Sequence, residues 1–165
     1  MHGGAPGSAG TVYARRVVPS PPSAEPPAGL GSYGYRYSFA TRWNDNDQYG
    51  HVNNVVYYEA MDTTINRWLI EEAGMDPVGG EQMAVCAASS CTFARSVSYP
   101  DGLEVGLRAG RVGRTSVTWE LGLFSGADPA PAATGSFTHV FVDPRRLRPV
   151  PVPAALRARI VEALT

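Results

Sequence analysis

The 165 residues carry 14 basic and 15 acidic side chains, a formal net charge of -1, and 44% hydrophobic residues. That size suits one globular domain with a tail rather than two catalytic domains, and the neutral balance lacks the basic footprint that nucleic-acid recognition leaves. All 14 basic residues are Arg, with no Lys, which matches a GC-rich coding bias better than a phosphate-binding surface. Residues 1–32 hold six Pro and six Gly without a sustained period, which predicts a disordered tail; 33–165 form the predicted domain. Tyr33, Tyr35, Tyr37, Phe39 and Thr41 alternate with Gly34, Arg36, Ser38, Ala40 and Arg42, predicting a first strand that runs to Trp43.

A dense polar loop follows: Trp43-Asn44-Asp45-Asn46-Asp47-Gln48-Tyr49-Gly50-His51-Val52-Asn53-Asn54. Val55, Tyr58, Met61, Ile65, Trp68 and Leu69 then recur at steps of three and four, which predicts a helix of about five turns. Asn53 or Asn54 is its N-cap and Gly74 its C′ residue. The loop therefore delivers an acid and an imidazole to a helix N-terminus, where unpaired backbone N–H groups favour negative charge. This suits chemistry that develops an oxyanion.

From Met83 the chain turns β-rich, with strands predicted over 83–97, 103–112, 115–125 and 134–143 and turns at Tyr99-Pro100-Asp101-Gly102, Gly113-Arg114 and Gly126-Ala127-Asp128-Pro129. Short links imply hairpins and an antiparallel sheet, joined by the first strand after the helix. A short helix is predicted over 154–164. The fold class is α+β: one long central helix against about five antiparallel strands.

Cys86 and Cys91 share one predicted strand, roughly 16 Å apart at the usual rise, so they do not bridge each other. No Cys-x-x-Cys spacing, apolar run near membrane-spanning length or signal-peptide pattern occurs, so the reading includes no zinc module and no membrane span, with a reducing cytoplasm as the expected setting. Asp45-Asn46-Asp47-Gln48-Tyr49-Gly50 begins like a calcium loop, but Tyr49 is fifth and Val56 twelfth, so the ligand set fails. A zinc site from Asp45, Asp47 and His51 lacks further histidines close in sequence, His2 and His139 being the others.

The order strand, Asp-x-Asp-x-x-Gly-His-Val-Asn-Asn, helix, four strands resembles the hotdog fold of the 4-hydroxybenzoyl-CoA thioesterase-like family of acyl-CoA thioesterases. Asp45, Asp47, Gly50, His51, Val52, Asn53, Asn54 and Tyr57 stand in one frame, supported by Tyr99-Pro100-Asp101-Gly102-Leu103 and Phe141-Val142-Asp143-Pro144. The resemblance spans about Tyr33 to Arg159. It implies an acyl-CoA substrate, with Asp47 as nucleophile or general base, the backbone N–H near Asn54 polarising the thioester carbonyl, and His51 supporting the loop. Tyr49, Gly50, Asn53 and Tyr57 fall beside the substrate in this frame, as do Asp62 and Thr63, which lie where hotdog thioesterases of another type place their carboxylate.

A thioester has a good leaving group and needs mainly a positioned acid and oxyanion stabilisation, so no metal or cofactor is expected. The family also implies a homodimer or homotetramer with the site at a subunit interface. The loop is similar to that of plant acyl-ACP thioesterases, which raises acyl-ACP as a second substrate, but Tyr49 stands where those enzymes carry an Asn, and that weakens transfer of their triad. Two other readings remain open: a non-catalytic acyl-CoA-binding module, and a dehydratase in which a His shuttles protons with an acid. Asp45 is expected to orient the loop. Arg108, Arg111, Arg114, Arg145 and Arg146 are charged strand ends and turns before they are ligands of coenzyme A phosphates.

Overall fold

The computed structural model describes residues 29–165. The predicted tail lies outside the described residues except for its last four, among which Leu30–Ser32 form a 3-10 turn. Strand β1 (Tyr35–Phe39) is followed by a 3-10 turn (Trp43–Asp45), helix α1 (Asn54–Arg67), a π-helical turn (Trp68–Glu72), and strands β2 (Met83–Phe93), β3 (Leu103–Val112), β4 (Ser116–Phe124) and β5 (Ala133–Val142). Helix α2 (Ala154–Leu164) closes the chain. The five strands make one antiparallel sheet in the order β1-β3-β4-β5-β2, with α1 against one face.

Strand β1 is shorter than its alternation predicts. Its ladder with β3 ends at the pair Phe39 and Leu103, because beyond it Asp45 draws the backbone of Arg42 into a turn, accepting the Arg42 N–H at 2.7 Å. At the other end Tyr33 leaves the ladder and lies on the outer sheet face. There Gly106 and Gly122 present no side chain, and any Cβ at either position would collide with its ring. That burial pushes the Tyr33 phenol up to about 12.

The inner sheet face, with Val105, Leu107, Val117, Trp119, Leu121, Leu123, Phe137 and Phe141, packs on Val56, Tyr57, Ala60, Met61, Ile65 and Trp68. The buried stripe of α1 is therefore rotated from the predicted one: Met61, Ile65, Trp68 and Leu69 are buried, but Val55 is 66% exposed. Small residues decide this. Ala60 and Thr64 let the helix approach the sheet, and the Thr64 hydroxyl donates to the Ala60 carbonyl at 2.7 Å, so its burial leaves no unpaired polar atom.

The helix ends in a π turn, with Ala73 N–H donating to the Trp68 carbonyl at 3.0 Å and Gly74 at φ 68° reversing the chain. Leu156, Ile160 and Leu164 of α2 extend the same core. Strands β2, β4 and β5 differ from the predicted spans only at their ends, β2 most, since its ladder with β5 stops at Phe93.

Candidate active site

The polar loop is a tight hairpin clamped at several points. Asp45 is 4% exposed. Its carboxylate accepts from the Arg42 backbone at 2.7 Å and from the Arg42 guanidinium at 3.1 Å, while its carbonyl accepts the Asn53 N–H at 2.8 Å. All of these bonds hold chain to chain, as expected for an orienting residue. Asn46 pairs with Val52 across the loop, and its side-chain oxygen accepts the Tyr99 N–H at 3.1 Å. The Ser98 hydroxyl donates to the Gly50 carbonyl at 2.7 Å, and Val52 N–H donates to the Val97 carbonyl at 2.7 Å. The segment before β3 thereby fixes the loop.

Asp47 sits at the tip, half-buried. One carboxylate oxygen accepts the Tyr49 N–H at 2.8 Å and, more weakly, the His51 N–H at 3.4 Å, an Asx-turn arrangement. Gly50, at φ 77°, makes the reversal and donates to the Asp47 carbonyl at 3.1 Å. Among the described residues the other carboxylate oxygen accepts no hydrogen bond, and the exposed His51 ring makes none.

Two residues after His51, the Asn53 side chain caps α1 by accepting the Val55 N–H at 3.1 Å, and its carbonyl accepts the Val56 N–H at 2.9 Å. The Asn54 N–H is left with no acceptor among the described residues. A pinned carboxylate with one open oxygen and a free N–H at a helix start thus lie on one short loop. Such a pair can attack, or activate water against, a carbonyl whose oxygen the N–H stabilises.

The profile of the thioesterase-like superfamily matches residues 41–160, which include the whole loop, α1 and strands β2 to β5. The chain belongs to this superfamily. A solved structure of a protein from Pseudomonas aeruginosa strain PAO1 is 42% identical, with 83% of this chain and 96% of that one covered and a TM-score of 0.79. A second P. aeruginosa protein, proposed to be a thioesterase, is 32% identical over 78% of this chain and 98% of that one, with a TM-score of 0.72. A thioesterase from Thermus thermophilus, solved with coenzyme A and zinc, is 28% identical over 80% and 95% of the two chains, with a TM-score of 0.66. No functionally curated protein matches by sequence. The superfamily and its neighbours identify a thioester hydrolase with the hotdog fold.

On this thioesterase frame the remaining predicted residues separate. Tyr49 is 85% exposed, so its ring points away from the core. Tyr57 is buried, its ring edge-on to Phe93 at 5.2 Å. Burial raises its phenol pKa, and the Val97 N–H partly offsets the rise. Asp62 and Thr63 lie further along α1 on the side away from the sheet. Desolvation nonetheless raises the Asp62 carboxyl, with the Asn66 side chain opposing it.

Arg108 is committed to Glu120 at 2.5 Å on the outer sheet face. Arg111, Arg114, Arg145 and Arg146 lie at the end of the sheet opposite the loop, where Val112 pairs with Val117 and Val142 pairs with Met83. Within one chain they do not join Asp47. A cavity of about 320 Å³ between Met75, Gln82, Phe141 and Leu156 is at that far end too. Among the described residues, no three of His, Cys, Asp and Glu gather as metal ligands, and no helix is long and apolar enough to cross a membrane.

Sequence reasoning missed the clamps on the loop. Asn46 and Ser98 hold it through contacts 53 and 48 residues apart, which nothing in their local spacing signals, while the Arg42 clamp reaches only three residues on to Asp45. Trp43 and Tyr99 also meet edge-to-face at 5.9 Å beside the loop.

Proposed function

We propose that this thioesterase hydrolyses an acyl-CoA to a carboxylic acid and free CoA at the Asp47 loop. The observation that carries the reading is the Asp47 carboxylate itself: one oxygen is held by backbone N–H groups and the other is open, one short turn before the free Asn54 N–H. The open oxygen attacks the thioester carbonyl, or takes a proton from a water that attacks it, while the N–H holds the developing oxyanion. The thiolate of CoA leaves and takes up a proton, and where Asp47 is the nucleophile a water then hydrolyses the acyl-aspartyl anhydride to release the acid and restore the carboxylate. His51 supports the loop through its backbone, which exchanges a 2.8 Å bond with Asp47. Gly50 and Asn53 shape the turn and the helix start, and Tyr49, Tyr57, Asp62 and Thr63 border the substrate. The Thermus protein solved with coenzyme A supports CoA as the carrier.

The functional unit is a homodimer or a larger even oligomer. Strand β2 is an edge strand of 11 residues, and its inner face is only half-covered at Ala84, Cys86 and Cys91. So long an unprotected edge invites pairing with a second copy. Light scattering that returns a monomer would refute this part.

The test of the activity is free-thiol release from short, medium, long and aromatic acyl-CoAs, with an acyl-carrier-protein thioester alongside. Wild type and Asp47→Asn are compared. Wild-type turnover that the variant loses while staying folded supports the proposal. Equal turnover in the two removes Asp47 from the chemistry, and saturable binding without thiol release leaves a binding module.

A further inference from the structure

The cavity of about 320 Å³ at the far end of the sheet is outside the Asp47 machinery. It lies where α1 gives out. The helix ends in its π turn, Gly74 reverses the chain, and the start of α2 forms the opposite wall. Met75, Phe141 and Leu156 line it with apolar surface that is continuous with the core. Its exposed lining residues are Gly74, Asp76, Glu81 and Ala155. The mouth is therefore at the end of the sheet, between the 76–81 segment and α2, ahead of the β2 edge that begins at Met83.

The polar groups of the two walls are of opposite kinds. On the segment leading into β2 they are acceptors. Gln82 Oε1 is buried and has no hydrogen-bond partner among the described residues, an arrangement that costs stability unless a donor comes to it. Asp76 and Glu81 bring carboxylates to the same segment, and no basic side chain lines the cavity. One Asp76 oxygen accepts the N–H groups of Val78 and Gly79, both at 2.9 Å, and these bonds hold its carboxyl below the ordinary range. The other oxygen accepts no hydrogen bond among the described residues.

On the α2 wall the polar groups are donors. Pro153 precedes the helix and supplies no side-chain cap. The N–H groups of Ala155 and Leu156, both in the first turn, have no acceptor among the described residues. They stand at the end of the helix that attracts negative charge.

A ligand that answers both walls carries an ammonium and a carboxylate on an apolar body, and size selects among such molecules. A sphere of this volume is about 8.5 Å across, which an α-amino acid spans when its two neighbouring charged groups each add a hydrogen bond of about 2.9 Å. The volume is at the small end of the roughly 300–1,000 Å³ of small-molecule sites, too little for coenzyme A.

We propose that this cavity binds a free α-amino acid with an apolar side chain. The ammonium donates to Gln82 Oε1 and faces the Asp76 and Glu81 carboxylates. The carboxylate accepts from the first turn of α2, and the side chain lies on Met75, Phe141 and Leu156. The site is separate from the Asp47 loop, and its occupancy does not depend on which thioester that loop hydrolyses.

The experiment is calorimetric titration of the full chain, wild type and Gln82→Leu, with L-phenylalanine, phenethylamine and 3-phenylpropionate. The last two lack the carboxylate and the ammonium respectively. Wild type is expected to bind L-phenylalanine about tenfold or more tightly than either, as a site built to bond both groups should. Gln82→Leu removes an acceptor that has no partner in the free protein, so it is expected to melt no lower than wild type. It should weaken L-phenylalanine by about tenfold and leave 3-phenylpropionate unchanged.

No binding of L-phenylalanine to folded wild type would overturn the proposal. So would equal affinity for either truncated ligand, or an L-phenylalanine affinity unchanged in Gln82→Leu. Should that variant fail to fold, the three ligands on wild type still decide the matter.

Discussion

The loop around Asp47 and the sheet interior around His139 each hold an ionisable side chain, yet they treat it in opposite ways. His139 is 2% exposed, accepts a hydrogen bond from the Trp119 indole at 3.2 Å, and lies edge-on to Phe137. Desolvation holds its pKa down at about 4, so it is neutral at pH 7 and works as a polar spacer in the core. Asp47 has one oxygen bound and the other open. Burial with a partner makes a group structural, whereas partial burial with a spare lone pair leaves it free to react.

The sharpest way to break this contrast is Asp47→Asn. The amide oxygen can still accept the Tyr49 N–H, so stability should move by no more than about 0.5 kcal/mol. Turnover should fall by about a thousandfold, on the order of 4 kcal/mol of transition-state stabilisation. Thiol-release rates and urea melts on the same preparation check both halves, and a destabilised variant would erase the distinction.

His139 should behave in the reverse manner. Its folded pKa of about 4 lies below the ordinary 6.5, so the stability it contributes is fully present above about pH 6.5 and is lost as the pH falls toward 4. The loss is about 3 kcal/mol at the acid end. Urea denaturation of wild type and His139→Gln at pH 7 and pH 4.5 isolates it. Wild type should lose more stability than the variant between the two pH values, and parallel losses would show that protonating His139 is not what weakens the fold in acid.

Asp45, two residues before Asp47, tests whether sequence neighbourhood or burial decides. Asp45→Ala removes the acceptor of the Arg42 backbone and side-chain bonds and should cost about 2 kcal/mol of stability. Its effect on turnover should follow from a loosened loop, so the deficit should shrink at low temperature. An Asp45→Ala protein as stable as wild type but inactive would place Asp45 in the chemistry beside Asp47.

Much of this layout was legible because it is written in local pattern. The limits of β3 and α2 follow from alternation, turn residues and helical spacing, and the Asp47 loop stands out by composition. Most of what was not legible depends on partners distant in sequence. One miss is local, the overrun of β1, where Asp45 accepts the N–H of Arg42 three residues earlier and ends an alternation that reads on to Trp43, whereas Val55 was misplaced because the approach of Ala60 and Thr64 to the sheet, not the apolar count, sets the rotation of α1. Tyr33 leaves the ladder only because Gly106 and Gly122, on strands formed 70 residues later or more, leave room for its ring.

The smallest expected effect separates the two duties of the helix start. Asn53 caps α1 through its side chain, while the proposed oxyanion donor is the neighbouring Asn54 backbone, which no side-chain substitution removes. Asn53→Ala should cost about 1 kcal/mol of stability and lower kcat through fraying of the first turn. Asn53→Asp keeps a cap acceptor and should restore the stability. It also sets a negative charge beside the developing oxyanion, so its kcat should stay low. Recovery of both in Asn53→Asp would mean that the charge next to Asn54 does not matter to the transition state, and the oxyanion would then have to be stabilised elsewhere than at the start of α1.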